Sequence, residues 1–465
     1  MMKKSVTILM LLMVLLTTLG INYTPVHAYA YDTSFVSMIH YQNVGTDTAH
    51  ITIDFYDQTG AIKASLPVTT LEPNVATTLF AGSIGDLSAG FKGSAVISSD
   101  QPLASVVAQV GSGQVKNQPL SSGFSEGARS VLIPTVLKKM FFFTSVFSIQ
   151  NVDSVAADLK LTFVPVAGST IIYNVDDVPP YASRVFDMAT IPTITDPTFN
   201  GAVLIEAKKH GSEDPGSIVG VSMELENAGY NAYAFDGAAI TANKLYMPTA
   251  VCKFGPTKDQ TSAYAVQNNN STPVEVMVTY SNGNIDGPHE IPAYGKRSFD
   301  GCVKGNPKGF LGSAIVTATA NIQAVGKVYG GGLYPAHLSF VTGYDKVSLP
   351  FIRWTKANWT NGQGQRTYIA IQNIGESAIP AGAVVVDYYD KDGNKVGTHT
   401  LDAIAVGAKG NSHPNFAGLV EFGALGGGAI VTGPAGSKLA VVVRVQKYIG
   451  NDMSVGEDYT GIPIN

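Results

Sequence analysis

Few side chains in this 465-residue chain could do chemistry, and their spacing limits what they could do. Two cysteines, Cys252 and Cys302, are present. In an oxidising compartment an even pair reads as a disulfide, here closing a loop of about 50 residues. Two separately buried thiols are the alternative. None of the eight histidines forms an H-x-x-x-H or H-E-x-x-H pair, the spacing that would aim two imidazoles at one metal ion. There is no phosphate-binding Walker loop. No catalytic residue, metal ligand or cofactor is therefore assigned. "DYYDKDGN" gathers Asp387, Asp390, Asp392 and Asn394, oxygen ligands of the kind calcium accepts. The distant glutamate of a full calcium loop is missing, so a hairpin turn is the stronger reading. The two tryptophans, Trp354 and Trp359, share a Gly/Asn-rich stretch, "FIRWTKANWTNGQGQRTY". Such a pair can stack on a sugar face or anchor a protein partner; packing against neighbouring sequence competes with that. "KKMFFF" at 138–143 poses the same choice.

Four recurrences show what must position these residues. Gln-Asn pairs stand at Gln42-Asn43, Gln150-Asn151, Gln267-Asn268 and Gln372-Asn373, at intervals of 108, 117 and 105. Each is preceded by alternating apolar residues and followed by an alternating run ending at Phe55, Phe163, Tyr280 or Tyr388. A glycine then opens a short apolar run 51, 51, 45 and 55 residues after the Gln, at Gly93, Gly201, Gly312 and Gly427. A further run closes each unit: "LASVVAQV", "SIVGVSM", "IQAVGKV", "LAVVVRV". Landmarks that keep order and spacing mark internal repeats. Alternation of Val, Ile, Thr, Tyr and Phe predicts strands with one buried face, punctuated by turn signals such as "YDQTG" and "SNGN". The Gln-Asn pair falls where a strand leaves its sheet. Its amides suit a structural corner better than a binding signature.

Between units an X-Pro run recurs, with Pro134, Pro248 and Pro350. Proline cannot donate to a ladder, so these runs read as edge strands opening units two, three and four. The expected division is a signal peptide at 1–30, then units at 31–127, 128–240, 241–343 and 344–465. The leader reading rests on "MMKK", an apolar run and small residues near "VHAYA", with cleavage expected after Ala28 or Ala30. The fold class expected is all-β: four tandem immunoglobulin-like β-sandwich domains in an elongated array, packed end to end. No later run is long and apolar enough to span a bilayer. A net charge of −5 argues against nucleic acid, which needs clustered cations.

In architecture the chain resembles secreted bacterial surface proteins with tandem immunoglobulin-like β-sandwich repeats. The leader and the four repeats carry that resemblance. It implies a secreted or cell-surface, non-enzymatic structural or assembly protein, one that self-associates or contacts cell-envelope components. The alternative is an adhesin that binds glycan or protein through Trp354 and Trp359. One feature of the repeat frame is sharper. The first unit's X-Pro run would fall at 24–26, within the leader, so cleavage would leave an unpaired sheet edge open to strand addition. Ile462-Pro463 resembles the inter-unit motif. The tail of one subunit is thus a candidate to fill that edge in the next, giving a head-to-tail fibre. Residues 31–37 covering the edge locally are the alternative.

Overall fold

A computed structural model describes residues 34–111, 117–229, 231–255, 257, 259–302, 305–356, 364–424, 426–450 and 453–464. The leader assigned to 1–30 lies outside them, as does Trp359. The described chain is all-β, and its paired strands run antiparallel. Helical structure is limited to short 3-10 turns such as Ala81–Ser83 and Pro414–Ala417. No helix among the described residues is long and apolar enough to cross a membrane.

The described strands form seven antiparallel sheets, and the second quarter of the sequence builds two of them. One layer orders Ser183–Asp187, Phe143–Asn151, Ile218–Glu226 and Ala232–Asp236. The other orders Ile171–Val178, Ala157–Pro165, Phe199–Lys209 and Ser130–Lys138. The X-Pro run is thus the outer neighbour of the strand opened by Gly201. The third quarter repeats the plan, except that one strand of 20 residues, Phe310–Tyr329, runs through both layers. Its first half pairs with the X-Pro strand Ala242–Cys252 and its second half with Thr261–Asn268. In the fourth quarter the X-Pro strand Lys346–Leu349 flanks Gly427–Thr432 and also pairs with Ile462–Pro463. The first quarter departs from the plan. Among the described residues its second layer has three strands, Ile62–Leu71, Ala49–Asp57 and Gly93–Ser99.

Alternation explains which faces are buried. Along Ala49–Asp57, Ile51, Ile53 and Phe55 point into the core, and along Ala157–Pro165, Leu159, Leu161 and Phe163 do so. The opening glycines lie where strands nearly touch. A Cβ on Gly93 would sit 2.0 Å from the Tyr56 carbonyl oxygen, and one on Gly201 would sit 2.4 Å from that of Val164.

The expected end-to-end array is not what forms. The quarters contact one another in a closed circuit, the fourth returning to the first. Ser348 Oγ donates to Gln42 Oε1 at 2.7 Å, and the Gln118 amide donates to Glu457 at 3.0 Å. The reason lies in the closing strands, which are apolar on both faces. Val441, Val442 and Val443 are consecutive and all buried. One face fills the strand's own interior, and the other must find a second layer. End-to-end stacking would leave that outer face wet. Instead Val106, Ala108 and Leu120 of the first quarter join the apolar cluster of the fourth, and Ala265, Val325 and Ala336 of the third join that of the second.

Candidate functional site

The four Gln-Asn pairs occupy one geometry. Each Asn Nδ2 donates to the carbonyl four residues on, at Asp47, Val155, Thr272 and Ser377. It also donates to a carbonyl of the hairpin beyond, at Leu71, Val178, Ile291 and Ile404. Its Oδ1 accepts the amide two residues on, from Gly45, Asp153, Asn270 and Gly375. One buried side chain thus closes the turn behind it and ties it to the hairpin. The Gln partners differ. Gln42, Gln150 and Gln372 donate to the carbonyls of Asn74, Tyr181 and Gly407, while neither amide atom of Gln267 is bonded.

Several of the buried ionisable groups lie at the seams between quarters. At the first seam, Arg184 donates to the Gln58 carbonyl and the Ser122 amide to Asp236 at 3.0 Å. At the second, Lys327 pairs with buried Glu224 at 2.5 Å, and Lys296 donates to Thr135 at 2.8 Å. Burial, reinforced by the Lys327 charge, brings the Lys296 ammonium down to about 7. At the third, Asp458 contacts His337 Nδ1 at 3.1 Å and also takes two bonds from Arg444, at 2.8 and 2.9 Å. Burial alone would raise the Asp458 carboxyl, but the Arg444 charge and the bonds from His337 and Arg444 hold it at about 2. Its neighbour Glu457 is driven well above the usual carboxylate range by burial. At the fourth, His40 stacks on Phe351 at 4.0 Å, with the Arg353 guanidinium over that same Phe351 ring. Burial, with the Arg353 charge, lowers His40 to about 3. The small cleft beside Asn117, Gln118, Gln365 and Glu457 holds about 20 Å³, room for one water.

The aromatic stretch of the fourth quarter is not a free platform. Trp354 is 6% exposed and lies flat on His413 at 4.6 Å, with the Arg366 guanidinium over its ring. The expectation of an open stacking surface at Trp354 is corrected, because pairing of Trp354–Thr355 with Glu421–Phe422 draws the indole into the layer. The reverse holds in the second quarter. Phe141 and Phe142 are 64% and 80% exposed, both with left-handed backbone, in the turn that joins the X-Pro strand to the Gln-Asn strand.

Cys252 and Cys302 are joined in a disulfide. Pro134 and Pro248 sit where the register of their strands shifts, while Pro350 follows the last paired residue of its strand, Leu349. The Asp390 turn is closed by its own carboxylate, the amides of Asp392 and Asn394 donating to Asp390 Oδ1. Ile462 and Pro463 pair with Ser348 and Val347 of the same chain, so the tail is already held within its own molecule. The seam residues Glu224, Lys327, His337, Arg444 and Asp458 escaped the sequence reading. Their signal was charge inside otherwise apolar runs, as in "AVVVRV" and "VGEDYTG".

No family model and no curated protein matches the chain. Among solved structures it aligns with the crystal structure of a tetra-tandem repeat in the extending region of a large adhesion protein. The alignment has 11% identity, covers 91% of this chain and 94% of that one, and has a TM-score of 0.11. That score carries no argument about either fold or function.

Proposed function

We propose that the chain is an exported, non-enzymatic surface protein made of four immunoglobulin-like sandwich repeats, acting as a rigid structural or assembly subunit. The observation that carries this reading is where the ionisable groups go. The clusters at Glu224–Lys327, His337–Asp458–Arg444 and Glu457–Gln118 join one repeat to the next, and the cleft beside the last holds no more than a water. A body stiffened at every seam suits load or lattice more than turnover. Electron microscopy of the exported protein, free and on its cells, tests it. Ordered multimers or a surface layer are the expected result. A protein that stays monomeric at high concentration and never appears at the cell surface would overturn it.

A second reading, an adhesin, draws support from exposed Phe141 and Phe142 beside Lys138 and Lys139. It places the contact on this loop and not on Trp354. Phe141→Ser/Phe142→Ser should then abolish binding to a glycan array or to cells, while Trp354→Ala should act only through stability.

A further inference from the structure

Three consecutive phenylalanines in the second quarter part company. Phe143 turns inward, 9% exposed, with its ring 5.2 Å from that of Tyr233. Phe141 and Phe142 turn outward, and among the described residues no large apolar side chain is more exposed than Phe142. Extended backbone would alternate faces and carry Phe141 inward with Phe143. Left-handed backbone prevents that, with φ of 51° at Lys139, 52° at Phe141 and 71° at Phe142. L side chains other than Asn and Asp rarely adopt it, so the turn must be held. Met140 and Phe143 exchange backbone bonds at 3.0 and 2.8 Å, and the Asn227 amide donates to the Phe142 carbonyl at 2.7 Å. Thr144 Oγ1 accepts from the Lys139 amide at 3.1 Å and donates to Asn227 Oδ1 at 2.9 Å. The two rings are therefore presented on a pinned turn.

The fold does not require this arrangement. The amides of Leu137 and Val251 donate to Ser145 and Ser262 at 2.8 and 2.9 Å, which marks the same strand end in the second and third quarters. Two residues on, Lys253 repeats Lys139: it is exposed and left-handed, with φ 47°. Phe254 then pairs with Gln260 and packs against Val251, Val328 and Leu333. The sibling keeps the lysine and folds its aromatic in. Left-handed backbone that turns two apolar rings into solvent, where a sibling tucks its own away, points to a use.

We infer that the partner at this turn is an anionic lipid surface, entered by Phe141 and Phe142 with Lys138 and Lys139 at the headgroup phosphates. The inference rests on the second reading, which puts the contact on this loop, and names what is touched. Two adjacent rings at the tip of a turn are convex. They offer a sugar no flat platform and need no enclosing pocket, but they fit the boundary between headgroups and acyl chains. Lysine stems lie along that boundary while their charges stay with the phosphates. Lys139 is exposed, and Lys138 Nζ is steadied by the Ile194 carbonyl at 2.7 Å. The acids behind the turn are Glu226, which accepts from Asn231, and Asp187, whose carboxyl is raised by burial. The chain is net −5 overall, so the basic turn also sets which side meets an anionic surface. A turn already pinned gives up little freedom on binding.

Cosedimentation of the full chain with vesicles tests it. Mixed phosphatidylglycerol–phosphatidylcholine vesicles should bind the protein, and pure phosphatidylcholine vesicles should bind it far less. Phe141→Ser/Phe142→Ser should weaken binding by about tenfold or more, with little change in melting temperature because both rings already face solvent. Lys139→Gln should weaken it by about fivefold, on the anionic vesicles alone. Added salt should release the parent more than Lys139→Gln. A parent that binds no vesicle overturns the lipid assignment, and if the serine pair still loses its hold on cells or a glycan array, contact at this loop stands without it. Vesicle binding by the serine pair equal to the parent's also overturns the inference. The loop itself fails as a contact only if the serine pair keeps its hold on cells and glycans.

Discussion

Asn151 shows how much one side chain does here. Its Nδ2 serves the carbonyls of Val155, Val178 and Pro179 at 2.8, 3.0 and 3.1 Å. Asn151→Ala strands these acceptors in a dry corner and should cost about 3 kcal/mol in chemical denaturation. The Gln-Asn code was readable as a corner because amides suit turns; the hairpin carbonyls they also reach were not, since Val178 and Pro179 lie 27 and 28 residues on from Asn151. His40 gives a pH signature. It is held neutral in the fold at about 3 against an ordinary 6.5. The unfolded chain therefore takes up its proton first as pH falls. Stability contributed by His40 is complete above about pH 6.5 and drains away toward pH 3. His40→Phe, which keeps a ring against Phe351, should flatten the melting-temperature decline between pH 6.5 and 4.

At the scale of elements, the strands were legible because period-two alternation writes one wet and one dry face. What alternation could not show was the second dry face of the closing strands. "LAVVVRV" reads as a strand at a glance, yet its unbroken apolar run is itself the sign of burial on both sides. The disulfide works at this scale. It links the end of the X-Pro strand to the turn after Lys296–Asp300, across a sequence separation of 50. Cys252→Ser/Cys302→Ser should lower stability by about 4 kcal/mol in the chain-entropy picture. The check is a denaturant titration of parent and variant, with a fall below about 1 kcal/mol counting against that picture.

The whole molecule is where sequence reasoning went furthest astray, because nothing local encodes how four similar bodies sit together. The second apolar face of the closing strands draws the members together, and the polar seams lie between partners separated by 103 residues at Glu224–Lys327 and 339 at Gln118–Glu457. A compact body of this length should scatter X-rays with a radius of gyration of about 23 Å, whereas four sandwiches in line would give roughly 40 Å. Asp458→Ala leaves Arg444 without its buried counter-charge and should cost about 3–5 kcal/mol while raising the radius as the third and fourth members part. Closure has one more consequence. Because the last member rests against the first, the circle has no privileged starting point. A gene reopened between Gly123 and Gly127, with Ile464 joined to the original beginning by a short spacer, would trace the same loop from a different station and should reach the same shape. A chain carrying a fifth member could not close in this way.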